Sequence, residues 1–251
     1  DEDGDWSLQR LIKRVSKGRS TPGYVHVFSK TVEDNEQEGK ADDDTRDVLL
    51  LQSMRRITYT SPRTMHWITM VLRWLTDIQD PRKISSSDLA ERLRKYAREK
   101  VRVAFFDPTQ PEPESFSIRR IVFTYLDYLI LEEDQTAKRN FKFQFRNSIE
   151  HFYPQNPEKE QSGATVSDEN LHLLGNLALV SVGMNSQFSN SLPKAKAENF
   201  KDKIESQSPK LQLMAKNSRD GEWDDAQVKK HHVEMVELLE QDIKKGASIA
   251  L

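Results

Sequence analysis

The sequence predicts a mostly α-helical chain with one small α+β element, and three observations lead there. Glycine is scarce, with 9 residues in 251, and 31% of residues are charged, a balance that favours helices over a β-sandwich. Apolar residues recur at helical spacing through most of the chain. From Phe141 the period changes: Phe141, Phe143 and Phe145 alternate with Lys142, Gln144 and Arg146, and a second short apolar run follows at 177–182. Apolar residues make up 36% of the chain, enough for a core, and the length permits one large domain or two small ones.

The elements follow in order. Residues 6–17 carry Leu8, Leu11, Ile12 and Val15 on one helical face, so a short helix is expected. Residues 20–44 contain Pro22, Gly23 and an acid run, which predicts a largely disordered loop. A second helix is expected over 47–57, with Val48, Leu51 and Met54 inward. Pro62 suits the start of a third, 65–78, whose Trp67, Ile68, Val71, Leu72, Trp74 and Leu75 leave hardly a polar side and predict a central position. Ser85 to Glu91 reads as a helix start, with Asp88 and Glu91 at capping-box spacing. That helix should run to Phe105 and expose Arg92, Arg94, Lys95, Arg98, Lys100 and Arg102.

Pro108, Pro111 and Pro113 then break the chain. Residues 116–131 form another nearly all-apolar helix (Ile121, Val122, Tyr125, Leu126, Leu129, Ile130), expected to pack on 65–78. After the two strand candidates, helices are expected over 194–205, near 211–216, and in a long last segment striped by Val228, His232, Met235, Leu239 and Ile243. His231 and His232 are adjacent on that helix and point about 100° apart, so they cannot chelate one ion together and read as structural or solvent-facing. The predicted organisation is a short helix and acidic linker at 1–45, a helical module at 46–135, and an α+β domain at 136–251.

Charge is uneven. Asp1 to Asp5 carries four acids, and residues 33–44 carry seven acids and one lysine; setting both aside turns the net charge of −2 into +8 for the remainder. Such a folded part permits a polyanionic partner without requiring one. There is no cysteine, which rules out disulfides and Cys-based zinc sites and fits a cytoplasmic protein. No apolar run approaches the roughly 18 residues of a membrane span, and no signal-peptide pattern occurs. The chain opens on Asp-Glu-Asp-Gly-Asp-Trp without Met, which predicts a piece of a longer protein. No internal repeat and no glycine-rich phosphate loop is present.

One stretch concentrates candidate chemistry: SIEHFYPQNP from Ser148, then LGNLALVSVGMNSQFSNSLPKAK ending at Lys196. Hydrolysis of a phosphodiester with one hard cation needs oxygen ligands, a base that activates water, and charge stabilisation at the leaving oxygen. Glu150 supplies an oxygen and His151 a base suited to neutral pH. Adjacent strand residues point to opposite faces, so both serve one site only where the strand ends or bulges, and Pro154 and Pro157 enforce an ending. Asn176 and Asn185 supply amide oxygens, the latter where a helix would start after Gly183. Taken singly, each residue also has a structural reading, as a loop end or as turn chemistry.

Together, the EHxxPQ element, the LGNL element and the downstream Asn resemble the HNH (ββα-metal) nuclease domain at the C-terminus of GmrSD-type type IV restriction enzymes. They also resemble related phage-defence nucleases, one of which senses phosphorothioate-modified DNA. The resemblance covers about Phe141 to the C-terminus and implies a helical module followed by a ββα-metal domain. It implies His151 as general base, Glu150 and Asn185 as ligands of Mg²⁺ or another divalent cation such as Mn²⁺, and Asn176 orienting the His151 loop without touching the metal. Asn190, Lys194 and Lys196 fall where contacts to DNA phosphates are expected. His172 either packs or caps, or is a fourth site residue.

The family's Asp-Gly-Gln-Gln-Arg run is absent, so a nucleotide-hydrolysing domain or partner is expected elsewhere. The resulting expectation is a metal-dependent DNA endonuclease or nickase of modification-dependent anti-phage restriction. The alternative is a non-catalytic module that grips nucleic acid or protein. The Arg92–Arg102 face either tracks a phosphate backbone or is simply solvated. One cut per site would require an oligomer or two events for a double-strand break.

Overall fold

A computed structural model of the chain describes residues 9–16, 18–26, 43–80, 84–157 and 165–248, and divides into two compact units, Asp1–Tyr96 and Ala97–Leu251. The acid run before Asp43 lies outside the described residues.

The first unit opens with an antiparallel hairpin, β1 (Gln9–Ser16) and β2 (Arg19–His26), paired from Gln9↔His26 to Ser16↔Arg19. This corrects the helix expected over 6–17 and the loop expected from Ser20. The apolar spacing there is compatible with a helix, but Gly18 adopts φ 75°, the left-handed conformation a tight hairpin turn requires. Pro22 is tolerated because a two-stranded ribbon consists only of edge strands. Helices α1 (Asp43–Thr58), α2 (His66–Asp77) and α3 (Ser86–Phe105) follow.

Val48, Leu51, Met54 and Leu93 are fully buried. Arg55 is buried with them and donates to the carbonyls of Leu51 and Leu93, so backbone acceptors take part in holding its charge. α2 is not the central helix its composition predicts: only Trp67 and Val71 are buried, and Leu72 is 56% exposed. At the start of α3 the cap is Ser85, whose Oγ accepts from Asp88 N at 3.1 Å while Asp88 takes the Ser85 hydroxyl at 2.7 Å. The box therefore pairs Ser85 with Asp88 rather than Asp88 with Glu91. The basic face is partly committed internally: Arg94 pairs with Asp47, and Arg98 makes a bidentate pair with Asp242 at 2.9 Å.

The second unit is built on α4 (Arg120–Glu133), which is buried from Ile121 through Leu129 and again at Leu131. After α5 (Gln135–Asn140) come β3 (Ser148–His151), α6 (Asp168–Leu171), β4 (Leu177–Val180), α7 (Val182–Phe188), α8 (Pro193–Asn199), α9 (Lys201–Ile204), α10 (Pro209–Asp220) and α11 (Asp225–Ser248). α4 packs on α5, α10, α11 and β4, so it is grouped with the elements that follow it, whereas α2 belongs to the first unit.

The Phe141–Phe145 segment is not a strand. Phe143 and Arg146 are buried and Phe145 is 51% exposed, an interval of three that breaks the alternation, and Arg146 is turned inward to donate to Ser206 O at 2.7 Å. Strand pairing starts only at Ser148, antiparallel to β4, with Glu150 opposite Ala178 and His151 opposite Leu177. Strand, strand and helix thus follow in the order β3, β4, α7, and α7 packs on β3.

The turn before β4 is pinned from behind. A Cβ on Gly175 would come within 2.3 Å of Val228 O and 2.7 Å of His232 N, so only glycine lets α11 approach. Lys210, fully buried on α10, donates through Nζ to Leu174 O at 2.9 Å and Leu177 O at 2.6 Å, gripping the same turn on both flanks of Asn176. The buried stripe of α11 is Val228, His231, Met235 and Leu239; His231, rather than His232, faces the core.

Candidate active site

β3 terminates at His151, and the backbone beyond it is held by Asn176. The Asn176 carboxamide, fully buried, is saturated: Oδ1 accepts from Tyr153 N at 2.8 Å and Trp223 Nε1 at 3.1 Å, and Nδ2 donates to Tyr153 O and Leu171 O, each at 3.0 Å. Phe152 N also donates to Asn176 O at 2.9 Å. Asn176 therefore clamps the two residues after His151 to the α6 end and to Trp223.

His151 is 6% exposed, and its Nε2 lies 3.0 Å from Nδ1 of His172. The Phe116 ring stands edge-on to it at 5.8 Å. Burial, then the neighbouring His172, then the Lys196 charge push the imidazole down to about 4, so it is neutral at pH 7. If Nε2–H donates to His172, the lone pair falls on Nδ1, which has no hydrogen bond among the described residues. His172, which sequence reasoning left between packing and a site role, is thus the direct partner of the candidate base.

Glu150 points elsewhere. Its Oε1 is 2.6 Å from Lys196 Nζ, and that ammonium also donates to His151 O at 3.0 Å and Phe152 O at 2.9 Å. Burial raises the Glu150 carboxyl and lowers the Lys196 ammonium, each opposed by the other's charge. This corrects the expectation that Lys196 meets a DNA phosphate: it has no exposed surface, and three acceptors occupy its three protons. Asn190 and Lys194 are exposed, and Asn185 stands half-buried on α7 with no side-chain hydrogen bond among the described residues.

No group of three or more His, Cys, Asp or Glu that could cage a metal occurs among the described residues. The donors present, one carboxylate oxygen of Glu150 beyond that held by Lys196 and the Asn185 amide, are few but of the right kind for Mg²⁺, which binds proteins through one or two carboxylates plus water and phosphate oxygens.

Residues 106–238, more than half of the chain, match the family of GmrSD restriction endonucleases, C-terminal domain. The chain belongs to that family. A search of curated proteins and a search of solved structures return no match. The GmrSD C-terminal match begins well before Phe141, at residue 106, so it takes in the Phe116 loop and α4 along with the histidines. It marks this part of the chain as a GmrSD-type C-terminal nuclease region. No helix among the described residues is long and apolar enough to cross a membrane.

Proposed function

We propose that this GmrSD-type domain is an HNH-type DNA endonuclease or nickase in which His151 activates water for phosphodiester hydrolysis. The observation that carries the reading is the His151–His172 contact at the end of β3, which leaves Nδ1 as the proton acceptor when His151 Nε2–H is the donor. Nδ1 takes a proton from water, the hydroxyl oxygen bonds to phosphorus, and the bond to the leaving sugar oxygen breaks. A phosphate anion beside the ring favours the imidazolium and so raises its basicity where the substrate sits. Asn176 fixes the backbone that presents the ring, and Asn190 and Lys194, both exposed, would meet flanking phosphates. Glu150 and Asn185 would hold Mg²⁺ or Mn²⁺, which supplies charge stabilisation at the leaving oxygen when bound. The anti-phage role, and a separate nucleotide-hydrolysing domain or partner, belong to the same proposal.

Supercoiled plasmid with Mg²⁺ or Mn²⁺ tests it. Wild type is expected to nick, and His151→Ala or EDTA to abolish nicking, by a factor of about 10² or more for loss of the base. Nicking that survives either sinks the mechanism. The Lys196 ammonium on Glu150 favours a second reading, a binding module without cleavage. In that case wild type would leave plasmid intact yet retard it in a salt-dependent gel shift.

A further inference from the structure

Phe116 is large, apolar and 68% exposed, yet its ring meets the candidate base edge-on at 5.8 Å. The chain holds it there at a cost. Ser115 adopts φ 51°, a conformation that non-glycine residues seldom take and that tends to mark functional sites. Its N–H donates to His172 O at 2.9 Å, which ties this turn to the residue that partners His151. Glu114 N–H donates to Ser117 Oγ at 2.9 Å, closing the turn from the other side. Arg119 beside it is exposed, and Arg120 lies with its guanidinium carbon 5.7 Å from the ring of Phe145, a second exposed aromatic. Exposed aromatic rings interleaved with arginines are what single-stranded or locally opened nucleic acid binds, the rings taking bases and the cations the backbone.

We propose that Phe116 stacks on a nucleobase next to the scissile phosphate, so that this site prefers DNA in which a base is free to leave the helix. The inference rests on the nuclease reading above and makes Phe116 a positioning and specificity residue rather than a catalytic one. A base must unstack to reach the ring, and that costs least at a mismatched or damaged pair.

The test compares kcat/KM on a fully paired duplex and on the same duplex with one mismatch, with Mg²⁺, for wild type, Phe116→Leu and Phe116→Trp. Wild type is expected to favour the mismatched duplex. Phe116→Leu, which keeps bulk but removes the aromatic face, is expected to lose about tenfold or more and to lose the preference, and Phe116→Trp to retain both within about threefold. Because the side chain is exposed, melting temperatures of the three should agree. A wild type without mismatch preference, a Phe116→Leu enzyme indistinguishable from wild type, or a loss that Phe116→Trp does not restore overturns the stacking role alone. A wild type that cuts neither duplex overturns the nuclease reading and this inference with it.

Discussion

His151 is held neutral by burial first, then by the neighbouring His172 and Lys196, and each contribution can be removed separately. An unperturbed imidazole titrates near 6.5; this one, lowered to about 4, gains its proton only in acid. By NMR titration its midpoint should lie well below that of a free histidine. His172→Ala, which removes one neighbour opposing protonation, should move the midpoint up; a midpoint that stays or falls removes His172 from the account. Where His151 is the base, kcat/KM should be flat across neutral pH and fall as pH drops toward about 4, because the protonated ring accepts nothing. That Asn176 holds the backbone after His151 was legible in the sequence because a short local pattern carries both residues. The contact of His151 with His172 was not, since the two lie 21 residues apart and only folding brings the rings together.

At the scale of elements, the Lys196 side chain joins α8 to the end of β3 through one carboxylate and two carbonyls. Removing one partner of a buried ion pair costs about 3–5 kcal/mol, largely by stranding the other. Lys196→Met should therefore destabilise by about that amount in urea unfolding, Glu150→Gln by less, because an amide oxygen still accepts the ammonium. Lys196→Met combined with Glu150→Leu should recover part of the loss. Strictly additive effects would mean the pair is not coupled. Sequence spacing alone could not reveal this join: a lysine near a phosphodiesterase motif reads as a phosphate ligand, and burial is a tertiary property. The misplaced strand at 141–145 has a similar cause, since Arg146 turns inward to reach Ser206 O, which no local period encodes.

For the molecule as a whole, the helical character and the place of most helices were legible from periodicity, while the β1–β2 hairpin was hidden because its apolar residues also satisfy a helical spacing. Charge burial was hidden as well. His231 is fully buried, neither ring nitrogen is hydrogen-bonded among the described residues, and Glu234 Oε2 stands 3.7 Å from Nδ1; burial, then the Lys210 charge, then His232 hold it well below its ordinary value. The unfolded chain protonates this ring near pH 6.5 while the folded chain does not, so its contribution is full above that pH and is lost as pH falls. His231→Leu should thus raise stability at pH 5 more than at pH 7.5, lessening the slope by up to about 1.4 kcal/mol per pH unit. Equal effects at both pH values would show that the ring does not titrate differently on unfolding.

Gly175 has a consequence for recognising kin. Because α11 crosses the Asn176 turn at a distance no side chain survives, a homologue that keeps this crossing must keep glycine there, whatever becomes of its histidines. A homologue that has lost His151 would therefore still retain Gly175, and an unrelated protein with a chance Glu-His-x-x-Pro would lack the glycine. Position 175 reports ancestry, and position 151, on the mechanism proposed above, reports chemistry.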